Sequence, residues 1–271
     1  MFLIFDTVVT MKLLNVLLIL LFSASCSTGI ESSRTIDTYD LKADIDLFLS
    51  TNDSDKEAQI LNRLKGKKVS HETVKTLLRQ QVKPSAEKRG LQNGLKFKSN
   101  GKEYPYALYH PKTVDTPLPM VIVLHGMGGS GDTTVSKWAE RLKNEFIVVC
   151  PSYPMGAWWS RPAEDMVLAL MDHVRSIYNV DDNRVFLAGL SNGAIGVYTI
   201  GMFYPDRFAG LIPIAGSITP RFMNFLINLR NTPIYMIQGA HDPIFPIQLS
   251  RRVNKILSDM RYPVIYREHA E

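Results

Sequence analysis

The strongest chemical signal in the 271-residue chain is Gly189-Leu190-Ser191-Asn192-Gly193, set directly after the apolar run Val185-Phe186-Leu187-Ala188. A serine between glycines at a strand-to-helix junction is lifted out of the sheet by a sharp turn, which a Cβ at either glycine obstructs. Ala194 to Phe203 reads as the helix that follows, placing Ser191 at its N-terminus, where partial positive charge favours a developing anion. A serine in an ordinary turn is the plain alternative. The second signal is His125-Gly126-Met127-Gly128-Gly129, after the run Val121-Ile122-Val123-Leu124. Glycines let a backbone approach a substrate oxygen closely, and the tetrahedral intermediate of acyl transfer needs two N–H donors. The spacing assigns those donors to the amides of Met127 and Asn192, with His125 holding the loop. A phosphate loop is excluded, because the Gly-x-x-x-x-Gly-Lys-Ser/Thr spacing is absent.

The third segment, Gln238-Gly239-Ala240-His241-Asp242-Pro243-Ile244-Phe245-Pro246, follows the apolar run Ile234–Ile237. Together with His125-Gly126-x-Gly-Gly and the Asp182-Asn183-Arg184-Val185 lead-in, it resembles the α/β-hydrolases. Within them it is similar to the esterase branch of poly(hydroxyalkanoate) depolymerases, feruloyl esterases and related phospholipase/carboxylesterases. The likeness runs from about Gly94 onward. It implies Ser191 as nucleophile, Asp242 as the acid that orients a base, and the chain order serine, aspartate, histidine. Of His71, His110, His125, His173, His241 and His269, only His269 follows Asp242 at a suitable interval, and it is the expected base. His241 is expected to be a loop residue, and Asp165, Asp181 and Asp182 cap or surface groups. In the family the histidine usually lies in a loop past the last strand, commonly after a glycine, with a helix behind it. Here His269 comes almost directly after Val264-Ile265-Tyr266-Arg267, so a second expectation stays open: that the C-terminal end of the fold is incomplete and the base lies beyond Glu271. Trp158 and Trp159 stand where this branch carries substrate-contacting loops. Either they wall an acyl or aromatic pocket, or one indole enters the core and the other covers the loop.

These residues need a scaffold, and the apolar runs supply one. Strands are expected over Met120–Leu124, Phe146–Val149, Val185–Ala188, Leu211–Ala215, Ile234–Ile237 and Val264–Tyr266, with a helix carrying Met166, Leu170, Val174 and Ile177. Asn100-Gly101 between alternating segments is a two-residue hairpin signal. A hairpin leading into alternating strands and helices predicts an α/β fold, a mostly parallel sheet with helices on both faces. Ahead of it, residues 39–90 carry helical spacing: Leu41, Ile45, Phe48 and Leu49; Ile60, Leu61 and Leu64; Val74, Leu77 and Leu78. Ser54 before Glu57 and Ser70 before Thr73 are the expected caps. The hydrolase domain is then 91–271.

The first 26 residues read as a secretory signal. Lys12 precedes the apolar run Leu13–Phe22 and Ser23-Ala24-Ser25-Cys26 follows, with Met11 a better start than Met1. The run is too short for a bilayer span. Small residues ending in Cys26 resemble a bacterial lipoprotein signal, implying a lipid anchor on Cys26; plain secretion and an unmodified cysteine stay open. Residues 27–38 have the composition of a tether. Overall the chain is 45% hydrophobic, 10% aromatic and 21% charged, which excludes disordered, collagen-like and disulfide-framework classes. The net +5 is localised: 15 basic against 8 acidic residues lie between Leu41 and Lys112, and 14 against 14 from Thr113 on. A whole-chain nucleic-acid role is therefore unsupported, while the basic front suits either a solvated helix face or an anionic membrane surface. No metal-ligand spacing or nucleotide fingerprint is present, so no cofactor is expected. Cys150 ends an apolar strand and is expected in the core. The function expected is an exported serine hydrolase of small-molecule or polymeric carboxylic esters. An oligopeptidase-like serine peptidase and a catalytically impaired, surface-anchored binding protein are the alternatives.

Overall fold

The apolar runs become the strands of an eight-stranded sheet in a computed structural model that describes residues 38–51, 53–65, 73, 88–112, 116–143 and 145–270. The chain divides into two units, Met1–Lys83 and Pro84–Glu271. In the first, helices α1 (Thr38–Ser50) and α2 (Ser54–Lys65) pack together, burying Leu41, Ile45, Phe48, Ile60 and Leu64. Arg63 joins them, its Nε and Nη2 donating to Asp44 Oδ1 at 3.1 and 2.8 Å. The cap of α2 differs from expectation. Asp53, not Ser54, takes the role, accepting from the amides of Asp55 and Lys56 at 3.0 and 3.3 Å. An aspartate one position earlier meets the first free amides and carries charge that suits a helix N-terminus. The leader through Cys26, the tether up to residue 37, Ser70 and the stretch around Val74, Leu77 and Leu78 lie outside the described residues. Among the described residues no helix is long and apolar enough to cross a membrane.

The second unit opens with β1 (Gly90–Ser99) and β2 (Lys102–His110), an antiparallel hairpin. Asn100 and Gly101 both take positive φ, 49° and 73°, the turn that matches strand twist. Then follow β3 (Leu118–Leu124), α3 (Gly131–Arg141), β4 (Ile147–Pro151), α4 (Arg161–Ile177), β5 (Val180–Leu190), α5 (Asn192–Phe203), β6 (Gly210–Ile214), β7 (Ile234–Gly239), α6 (Ile247–Asp259) and β8 (Val264–His269). The spatial order is β1-β2-β4-β3-β5-β6-β7-β8, with β2–β4 antiparallel and β4 through β8 parallel. Strand order reverses about β3, and the crevice beyond the carboxyl ends of β3 and β5 is the topological switch point where such sheets bind ligands. The α/β architecture expected from the sequence is present.

Helices cover the two faces unequally. One face buries Met120, Ile122, Leu124, Val149 and Leu187 beneath α4, α5, α6 and the 3-10 turns of Pro220–Leu229. On the other, Val135 and Ala139 of α3 pack on Val121, Val123, Val148 and Cys150. Cys150 is wholly buried, and burial pushes its thiol well above the ordinary range. Toward β8 that second face is open among the described residues. Phe186, Ile212, Tyr235 and Ile265 floor an apolar groove of about 310 Å³, with Tyr235 39% and Ile265 55% exposed.

Candidate active site

The turn out of β5 is strained at one residue. Ser191 has φ 57° and ψ −117°, a conformation that side-chain-bearing residues rarely adopt. Its amide donates to Ile214 O at 2.9 Å, tying the turn to β6, and its carbonyl accepts from Ala194 N and Ile195 N at the start of α5. The flanking glycines are steric necessities. A Cβ on Gly193 would lie 2.0 Å from Leu124 O, and one on Gly189 2.4 Å from the Gly193 carbonyl carbon. The elbow therefore presses on the end of β3, where the His125 loop begins. A Cβ on Gly126 would stand 3.3 Å from Ser191 Cβ and 3.9 Å from its Oγ, so the two segments meet at the hydroxyl.

Neither the amide of Met127 nor that of Asn192 takes part in a hydrogen bond among the described residues. Asn192 is 8% exposed, and its side-chain Nδ2 donates to Met155 O at 3.1 Å. The loop itself is held by His125, 3% exposed. Its Nε2 accepts from Tyr153 N at 3.1 Å, which places the ring proton on Nδ1, 2.7 Å from Gly126 O. Trp158 Nε1 donates to His125 O at 2.7 Å. His125 thus acts as a brace with no ring nitrogen to spare for proton transfer.

Burial depresses the imidazole pKa of His125, and of His110 and His173, below the ordinary 6.5. All three are neutral in the fold near neutrality, so stability is full above 6.5. As pH falls below 6.5 the unfolded chain takes up protons that the folded chain refuses until its own lower values are passed, and stability is lost through that window. Glu164, raised by burial, works in the opposite direction as one group against three. The melting temperature is expected to fall between pH 7.5 and 5 in a calorimetric series; a flat series contradicts neutral burial of these rings.

Asp242 occupies the loop after β7. Its Oδ1 accepts from the amides of Ile244 and Phe245 at 2.8 and 2.9 Å, and its Oδ2 from Gln238 Nε2 at 3.1 Å. Ser191 and Asp242 both lie beyond the carboxyl ends of parallel strands, β5 and β7. His269 is the last residue of β8, in register with Gly239, and its carbonyl accepts from Ala240 N at 2.7 Å. That fixes its backbone at the same end of the sheet, but its exposed imidazole makes no hydrogen bond to Asp242 or Ser191 among the described residues. His241 is exposed in its loop. Asp165, Asp181 and Asp182 pair with Arg161, Arg184 and Arg175 on the surface.

The two indoles separate. Trp158 has no exposed surface and packs in the core against His125 and Tyr153, so its expected place in a substrate wall is corrected: it is a structural brace. Met155 and Gly156, shortly before it, both take positive φ, 56° and 64°, a feature with no signature in the sequence. Trp159 is 37% exposed and remains on the loop surface. Sequence reasoning also missed Gln238, because a glutamine before a glycine carries no motif.

Comparison with known proteins places this geometry. Residues 162–266 match the phospholipase/carboxylesterase family model. The chain is 28% identical over 123 residues to poly(3-hydroxyalkanoate) depolymerase C of Paucimonas lemoignei, covering 40% of this chain and 30% of that protein. It is 26% identical over 168 residues to probable feruloyl esterase C of Aspergillus niger, covering 58% and 60%. A solved thermostable esterase superposes with TM-score 0.55 at 30% identity, covering 65% of this chain and 53% of that one. The chain spans less than two thirds of the length of the curated relatives it matches. By its sheet order, its serine elbow and these likenesses, the chain has the α/β-hydrolase fold and is similar to esterases of that fold.

Proposed function

We propose that the chain is an exported serine hydrolase of carboxylic esters, working through an acyl-enzyme on Ser191. The observation that carries this reading is the strained Ser191 beside two amides, Met127 and Asn192, that have no acceptor among the described residues. Ser191 Oγ attacks the ester carbonyl carbon as its proton passes to a histidine. The carbonyl oxygen becomes an oxyanion facing the two N–H groups, and the C–O bond to the alcohol breaks as the alcohol takes the proton. Water, deprotonated by the same histidine, then releases the acid. Asp242 orients that histidine and stabilises its charged form. His269 is the proposed base, on the support of its order after Asp242 and its place beside the end of β7. The names of the relatives, a polyester depolymerase and a feruloyl esterase, support small or polymeric ester substrates, and Trp159 is the indole proposed to meet them. Export rests on the signal-like leader, with Cys26 as its proposed lipid attachment.

A second reading, a surface-anchored binding protein on a hydrolase scaffold, is favoured by one observation: no imidazole reaches Asp242 among the described residues. One experiment separates the two. The purified chain is assayed with p-nitrophenyl acetate and butyrate and with aminoacyl p-nitroanilides, then labelled with a fluorophosphonate. Ester turnover with label on Ser191 is expected; aminoacyl turnover instead supports a peptidase, and neither turnover nor label supports the binding protein. Unchanged ester turnover in His269→Ala removes His269 from the mechanism.

A further inference from the structure

We infer that Gln238 is a positioning residue for Asp242, its amide orientation set by the surrounding polar groups and anchored by Ser250. The inference rests on the reading of Ser191 and Asp242 given above. Gln238, next to last in β7, is 1% exposed, and Ser250 on α6 is 3% exposed. A buried amide is costly unless its polar atoms are satisfied. Here Nε2 donates both to Asp242 Oδ2 at 3.1 Å and to Phe245 O at 2.9 Å, while Oε1 accepts from Ser250 Oγ at 3.0 Å. Turned over, the amide would set its oxygen against two acceptors, so the network permits one orientation. That orientation matters to the carboxylate. Oδ1 is occupied by two backbone amides, which leaves Oδ2 to meet an imidazole N–H. Among the described residues, Gln238 is the donor on the Oδ2 side. It takes one lone pair, leaves the second open, and fixes the rotation of the carboxylate about Cβ–Cγ. An aliphatic side chain of the same shape fills the space and pins nothing.

A structural tie between β7 and the Asp242 loop predicts a different pattern, and the experiment discriminates them. Gln238→Met keeps the shape and removes the donor; Gln238→Glu sets a second carboxylate against Asp242. Full-length protein is assayed with p-nitrophenyl butyrate from pH 5 to 8. Gln238→Met is expected to lower kcat about tenfold, because misplacing a group by a fraction of an ångström is costly, with KM within about twofold. In Gln238→Glu the ratio of variant to wild-type kcat is expected to fall as pH rises and the new carboxylate ionises; a loosened loop gives a ratio independent of pH. Melting temperatures of Gln238→Glu, Asp242→Asn and the double variant close a cycle, in which Asp242→Asn is expected to recover the loss caused by Gln238→Glu. Wild-type kcat in Gln238→Met, a flat ratio, or additive melting shifts overturn the inference. Absence of ester turnover in the wild-type chain overturns the reading of the site instead, and the melting cycle then decides the Gln238–Asp242 coupling by itself.

Discussion

Replacing Ser191 with alanine is expected to lower ester turnover by about 10⁴-fold or more and to abolish fluorophosphonate labelling, because loss of the nucleophile leaves only oxyanion stabilisation and binding. The fold is expected to survive, since Ser191 Oγ makes no hydrogen bond among the described residues. Ser191→Gly is the more informative partner. At φ 57° and ψ −117° a Cβ is a burden that glycine sheds, so this variant is expected to gain about 1 kcal/mol. A gain of that size raises the melting temperature by about 2–4 °C in a domain of this size. An inactive but more stable Ser191→Gly shows that strain at the elbow is retained for chemistry. A Ser191→Gly protein that melts below the wild type contradicts the strain, and turnover retained in Ser191→Ala contradicts the nucleophile.

Gly193→Ala is expected to be the most damaging single-methyl substitution in the site. The added Cβ would lie 2.0 Å from Leu124 O and 2.7 Å from the Leu124 carbonyl carbon, both backbone atoms of the central strand β3. Nothing flexible is available to yield, so either the elbow or β3 must move. The cost is expected to reach about 3–5 kcal/mol, in the range reserved for overpacked cores and broken backbone geometry. Gly128→Ala is the control. Gly128 has φ 75° with nothing within 4 Å of a new Cβ, so only the conformational penalty of about 1 kcal/mol applies. Urea denaturation of the two variants measures the difference, and equal midpoints would contradict the close approach of elbow and strand.

What the sequence disclosed and what it hid follow from range. β3 and β4 are legible because parallel strands covered on both sides read as unbroken apolar runs. The apolar run of β5 begins at Val185, whereas the strand starts at Val180, because Asp181 to Arg184 are polar and lie at its more exposed beginning. Helix α3 leaves little trace in the sequence: its capping box on Ser130 and Thr133 is local, but only Gly131, Val135 and Ala139 are buried, too sparse for a periodic signal. Helix α6 is equally faint, its entry marked only by Pro246. Within the site, Ser191 and the loop at Met127 are local features of glycine spacing. The partner of Asp242 is not local. It depends on how β7 and β8 end side by side, and the sequence could order the histidines along the chain without bringing a ring to a carboxylate. Two adjacent indoles, Trp158 and Trp159, are equivalent as text; packing against the distant His125 makes one a brace and leaves the other at the surface.

The open half of the sheet has a thermodynamic consequence. Apolar surface contributes about 0.45 cal/mol/K per Å² to the heat capacity of unfolding, but only where unfolding newly wets it. Tyr235 and Ile265, 39% and 55% exposed along the groove, are already substantially hydrated in the folded chain. Unfolding of this unit therefore carries a smaller heat-capacity increment and a lower denaturant slope than a sheet of the same length covered on both faces. Its stability varies more gently with temperature, and anything that comes to cover Phe186, Ile212, Tyr235 and Ile265 will steepen that curve.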